Sequence, residues 1–115
     1  MSTIVTPIGD SRELAHAILE HLGGKRFLAM TGARDLLAIE AGLSFRLPSR
    51  LARDNITHVT IQIELKPSYS ISFERVSVAE RSIEQVRSLS GVTPDELQAS
   101  FQEVTGLAPS LDVIA

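Results

Sequence analysis

Between Leu36 and Phe73, apolar and polar residues alternate in four runs. The clearest is Val59, Ile61, Ile63 and Leu65, with His58, Thr60, Gln62 and Glu64 between them. A two-residue period marks a half-buried strand, because successive side chains leave a pleated backbone on opposite sides. Leu43, Phe45 and Leu47 alternate with Ser44 and Arg46, and Tyr69, Ile71 and Phe73 alternate with Ser70, Ser72 and Glu74. Leu37 and Ile39 make a shorter run. Glu40-Ala41-Gly42 and Lys66-Pro67-Ser68 supply turn residues, and Ser49 to Ile56 is a polar loop. The pattern predicts a four-stranded antiparallel meander over 36–76, apolar on one face and polar on the other.

On both sides of this region the period becomes helical. Pro7 and Gly9 mark residues 1–9 as an irregular arm. Asp10 and Glu13 fit a capping box, and Leu14, Ile18, Leu19 and Leu22 follow at helical spacing to Gly23-Gly24, predicting a helix over 10–23. Residues 25–33 are a short helix or a bend. Phe27, Met30 and Thr31 fit a helix, Phe27, Ala29 and Thr31 fit a strand, and Gly32 would close the piece. Two helices are predicted over 77–107. The first has a Ser77–Glu80 box, an Ile83, Val86, Leu89 stripe and a stop at Gly91. The second opens on Thr93-Pro94-Asp95-Glu96, buries Leu97, Phe101 and Val104, and stops at Gly106. Residues 108–115 form a tail. The expected fold is a single α+β domain over 1–115. It has an N-terminal helix, a four-stranded sheet, and two C-terminal helices packed on the sheet's apolar face.

Composition narrows the chemistry. The 115 residues include no cysteine, which excludes disulfides, thiolate metal sites and cysteine nucleophiles. No apolar run approaches the roughly 20 residues of a membrane span, and Met1 to Thr6 lacks a basic, long-apolar leader. A soluble, cytoplasmic protein without a membrane role is expected. The net charge is −3, but it is unevenly spread. From Lys25 to Arg53 there are six basic and two acidic residues, and from Ser77 onward six acidic and two basic. The polar sheet face carries no aromatic residue on which bases could stack.

No catalytic, cofactor-binding or metal-binding residue is assigned. His16 and His21 lie five apart, about 140° around a helix, so they cannot share a metal. Gly23-Gly24-Lys25 lacks the leading glycine and the following hydroxyl of a phosphate loop. The acidic pairs Asp10/Glu13 and Asp95/Glu96 are explained by helix starts. One charged feature remains: Arg34, Arg46, Arg50 and Arg53, in and beside the loop between two strands, are candidate contacts for an anion or a nucleic-acid backbone. A solvated loop that keeps a sheet edge soluble is the simpler account of them and is preferred.

The segments "GGKRFLAMTGARDLLAIEAGLSFRLP" and "LQASFQEVTGLAPSL" resemble a group of small uncharacterised proteins of phages, prophages and integrative elements. That group's pattern has a central M-T-G-A, a hairpin ending F-R/K-L-P, and a late helix phenylalanine followed by T-G-L. Ala108-Pro109 departs from it, since a more polar or aromatic pair is expected there. The resemblance spans about Asp10 to Leu111 and implies a mobile-element context. It brings no activity, cofactor or catalytic residue. Three functions follow as expectations. The first is a non-enzymatic accessory or counter-defence factor, acting on a protein partner or pairing with a second copy of itself. The second is nucleic-acid backbone binding, and the third is a small enzyme with an unrecognised site.

Overall fold

The computed structural model describes residues 5–48, 51–64 and 68–107. The elements run α1 (Val5–Leu22), α2 (Lys25–Thr31), β1 (Arg34–Ile39), β2 (Gly42–Arg46), β3 (His58–Ile63), β4 (Tyr69–Ser77), β5 (Ser82–Val92) and α3 (Leu97–Thr105). Single 3-10 turns stand at Arg53–Asn55 and Pro94–Glu96. The class is α+β, and the strands form one antiparallel meander in chain order.

Alternation fixes which face is buried. Leu43 pairs with Ile61 and Phe45 with Val59, which pairs in turn with Phe73, while Ile61 pairs with Ile71. All six side chains are buried on one side. Onto that side α1 lays Ala15, Ile18 and Leu22, and α3 lays Leu97, Phe101 and Val104. Phe27 of α2 sits at the centre, edge-on to Phe45 (ring centroids 5.3 Å apart) and to Phe101 (5.1 Å). Burying one such ring contributes about 2–3 kcal/mol, and edge contacts add to it.

Helices α2 and α3 end by the same device. Thr31 is fully buried, and its hydroxyl donates to the Phe27 carbonyl (2.7 Å) while accepting the Ala33 N–H (3.2 Å). Thr105 donates to the Phe101 carbonyl (2.8 Å) and accepts the Leu107 N–H (3.1 Å). Gly32 and Gly106 follow in the left-handed conformation, φ 76° and 77°. The shared string is F-x-x-x-T-G. In it a phenylalanine enters the core, a threonine turns back on that residue's carbonyl, and a glycine reverses the chain. The M-T-G-A step is therefore a helix stop whose threonine is enclosed.

Three expectations need correction. Leu37 and Ile39 do not join the apolar face of the sheet: they stand opposite Ser44 and Gly42 on its polar side, Leu37 is 60% exposed, and Ala38 faces Leu43 instead. Residues 5–9 are not an irregular arm, because α1 already runs from Val5, which places Asp10 inside the helix instead of at its cap. Pro7 is the third helical residue, where the missing N–H has no partner within the helix in any case. The largest error is the helix expected from Ser77, where the chain forms a fifth strand. Ser77 and Glu80 do interact, the Ser77 hydroxyl accepting the Glu80 N–H at 3.2 Å. That bond closes the β4–β5 hairpin loop, with Arg81 at φ 52°. The β4–β5 register shifts between Phe73 and Glu74 and again between Tyr69 and Ile71. Each shift adds a residue to β5, so Val86, Leu89 and Val92, three apart, all turn toward the core. A strand interrupted twice in this way has the apolar spacing of a helix.

Candidate binding face

The strands carry their polar residues on the side opposite the helices. Cross-strand pairing lines these up in rows. Ser44 lies opposite Thr60, Thr60 opposite Ser72, and Ser72 opposite Ser88. Gln85 donates to the Ser72 hydroxyl at 2.9 Å. A second row joins Gly42, Gln62 and Ser70, and the Gln62 side chain donates to the Glu40 carbonyl at 3.2 Å. Gly42 is required there, because a Cβ would stand 1.9 Å from the Ile61 carbonyl oxygen. The absence of that side chain lets β2 press against β3.

A third row is charged, running Arg34, Arg46, His58, Glu74 and Gln85. Arg46 pairs with Asp35 at 3.0 Å, both about half exposed, so this bridge adds little stability. His58 sits between Arg46 and Glu74. Its Nδ1 lies 2.9 Å from the Thr57 hydroxyl, which itself accepts the Val76 N–H at 2.9 Å. The direction of the bond between that hydroxyl and the ring follows the tautomer of His58. His58 is held below the ordinary histidine value, first by burial and then by the Arg46 charge, with Glu74 and Asp35 opposing.

The four candidate arginines do not form one patch. Arg34 and Arg46 stand opposite each other on β1 and β2. Arg53 instead donates to the Glu103 carbonyl at 2.8 Å, in the last turn of α3. Its guanidinium also lies beside Gly106, so it serves the negative end of that helix. Arg50 lies outside the described residues.

A polar cleft escaped the sequence reading. Asn55, Arg75, Ser77, Glu80, Ser82 and Glu84 are among the residues lining a space of about 310 Å³ between the Arg53–Asn55 turn and the β4–β5 hairpin. Arg75 spans it, donating to the Asp54 carbonyl (2.6 Å) and to Glu84 (2.8 Å). Hydrogen bonding to Glu84 raises the pKa of Arg75. Placing Glu80 and Glu84 here depends on β5 being a strand, so the expected helix concealed the cleft. No helix among the described residues is long and apolar enough to cross a membrane.

Comparison with protein-family models, curated proteins and solved structures gives no match for this chain.

Proposed function

We propose that this chain is a non-enzymatic binding protein that takes a partner protein onto the polar face of its sheet. The observation that carries the reading is the hydroxyl row Ser44, Thr60, Ser72 and Ser88, on the face turned away from all the helical core residues. Short hydroxyls both donate and accept, lose little rotamer freedom when covered, and carry no charge to desolvate. Beside them Arg46, Asp35, His58 and Glu74 mix both signs, which suits a protein surface better than a uniformly negative backbone. The resemblance to mobile-element proteins supports an accessory or counter-defence role, with a cytoplasmic protein as target.

A photo-crosslinking residue at Ser72, with one at Gln102 of α3 as control, tests this in host lysate. One protein is expected at Ser72 and none at Gln102. The captured protein, once purified, should bind the wild-type chain at least tenfold more tightly than Thr60→Arg. Equal capture at both positions, or unchanged affinity in Thr60→Arg, refutes the proposal.

A second reading is nucleic-acid binding, favoured by the juxtaposition of Arg34 and Arg46. It requires a gel shift with duplex or single-stranded DNA at low salt that weakens in Arg34→Ala. An absent shift, or one unaltered by the substitution, removes it.

A further inference from the structure

The cleft between the Arg53–Asn55 turn and the β4–β5 hairpin lies on the side of the sheet away from the hydroxyl row. Arg75 and Ser77 continue the two-residue period of Tyr69, Ile71 and Phe73, so they leave β4 on the helix side. Glu84 and Ser82 stand directly opposite them on β5. The side that buries Phe73 thus turns polar within two residues. The opposite wall is the Arg53–Asn55 turn, with Asp54 and Asn55 at φ 57° and 56°. Arg75 braces that wall through the Asp54 carbonyl (2.6 Å) and holds Glu84 (2.8 Å) with its other terminal nitrogen. The space left is about 310 Å³, at the small end of ligand cavities.

We propose that this cleft binds a small organic cation, a guanidinium or primary ammonium group on a short alkyl chain. Charge decides the class. Glu80, Glu84 and the neighbouring Asp54 oppose the single Arg75, so a phosphate or carboxylate is repelled. Arg75 is already engaged with Glu84 and the turn, and Glu84 uses only one carboxylate oxygen on it. The Glu80 carboxylate has no hydrogen bond or ion pair among the described residues. It is not needed for the hairpin loop, which closes through the Glu80 backbone N–H. The remaining choices fall to size and donor type. No group of three or more acidic or histidine side chains among the described residues is gathered to hold a metal ion, and the space far exceeds a bare ion. No aromatic ring lines the cleft to stack a base. A guanidinium presents a planar fork of donors, which suits the free oxygen of Glu84 together with Glu80 and the Ser82 hydroxyl. For so small a ligand on an open site, a dissociation constant of about millimolar order is expected.

Amide NMR titration at low salt tests this with two monovalent probes, propylguanidinium and N-acetyl-arginine methylamide. Saturable shifts are expected at Asp54, Asn55 and residues 75–84, with none in α1. If both probes bind, the cleft accepts an arginine side chain carried on a peptide; if propylguanidinium alone binds, the ligand is a free cation. Glu80→Gln keeps the loop bond and should weaken binding about fivefold or more. Ser82→Phe fills the cleft without changing its charge and should abolish binding. Both positions are exposed, so the unfolding transition should be retained, and were Ser82→Phe not to fold, Glu80→Gln alone decides. Glu13→Gln, which removes an exposed carboxylate of α1, should bind as the wild type does. Absent or unsaturable shifts overturn the inference. So does wild-type affinity in Glu80→Gln or in folded Ser82→Phe, or an equal loss in Glu13→Gln. Calcium chloride that shifts the same amides at lower concentration than propylguanidinium also overturns it, in favour of a metal. The cleft faces away from Thr60 and Ser72, so this result and that of the polar face are read separately.

Discussion

Replacing Thr31 by valine removes one hydroxyl and almost no volume, and it tests what the M-T-G-A step does. Thr31 has no exposed surface, and the Ala33 residue it serves is itself buried at 8% exposure. Valine leaves the Ala33 N–H without a partner away from water, at a cost of about 1–3 kcal/mol. The bond to the Phe27 carbonyl is also lost, worth about 1 kcal/mol, though that oxygen keeps its place in the helix ladder. The added methyl recovers somewhat under 1 kcal/mol of apolar burial. The sum is a destabilisation of about 2 kcal/mol, or about 8 °C in Tm for a chain of this length. Thr31→Ser keeps both bonds and gives up one methyl, costing about 1 kcal/mol. Urea unfolding should therefore rank threonine above serine and serine above valine, with an unchanged m-value. At Thr105 the same order should hold with smaller gaps, because Leu107 is only partly buried. If Thr31→Val is as stable as the wild type, the hydroxyl bridge is not what closes α2. If it unfolds normally yet loses binding of the protein captured at Ser72, M-T-G-A is a site and the structural account of it is wrong.

Other substitutions probe single elements. Gly42→Ala drives a Cβ to 1.9 Å from the Ile61 carbonyl and should cost about 3 kcal/mol or more by urea unfolding; an unchanged midpoint would show that the two strands separate freely. Arg53→Ala should speed amide exchange in the last turn of α3 and lower stability by about 0.5–1 kcal/mol, with no change in any DNA shift. His58 has a lowered folded-state pKa, so the unfolded chain binds its proton first as pH falls. Its contribution to stability is complete above the unfolded value near 6.5 and is lost as pH drops toward the folded one. His58→Gln should flatten that part of the pH–stability curve, and an NMR titration of His58 at or above 6.5 would contradict the lowering assigned to burial and the Arg46 charge.

Where one side chain period persisted, the sequence was a good guide. Val59, Ile61, Ile71 and Phe73 alternate without interruption, and each is buried as the period requires. Ile18 and Leu22 recur one turn apart and are equally enclosed. The failures have a common cause. Val86, Leu89 and Val92 are three apart, and only pairing with β4 reveals that two inserted residues produce this spacing. Ser77 and Glu80 make the local bond of a helix start, but the same bond closes a hairpin. Local chemistry is ambiguous until the long-range partner is known. For the arginines, proximity in sequence suggested a patch. Arg53 was then claimed by the end of α3, fifty residues later, while Arg46 and Arg34 faced each other on a sheet.

The recurrence of F-x-x-x-T-G bears on what the resemblance expected from the sequence can carry. Both copies are spent on the interior: Phe27 and Phe101 touch each other, and Thr31 and Thr105 are both buried and doubly bonded. Any chain that needs these two helices stopped over one core is held to the same residues, whatever it binds. The hydroxyl row and the β1 edge are under no such demand. Thr60 and Ser72 could change to other small polar residues without disturbing the core, and Leu37 is 60% exposed. The residues that carry the expected resemblance are therefore those least able to identify a partner. The proposed protein partner is to be sought through Thr60 and Ser72, where substitution alters a surface and leaves the fold intact.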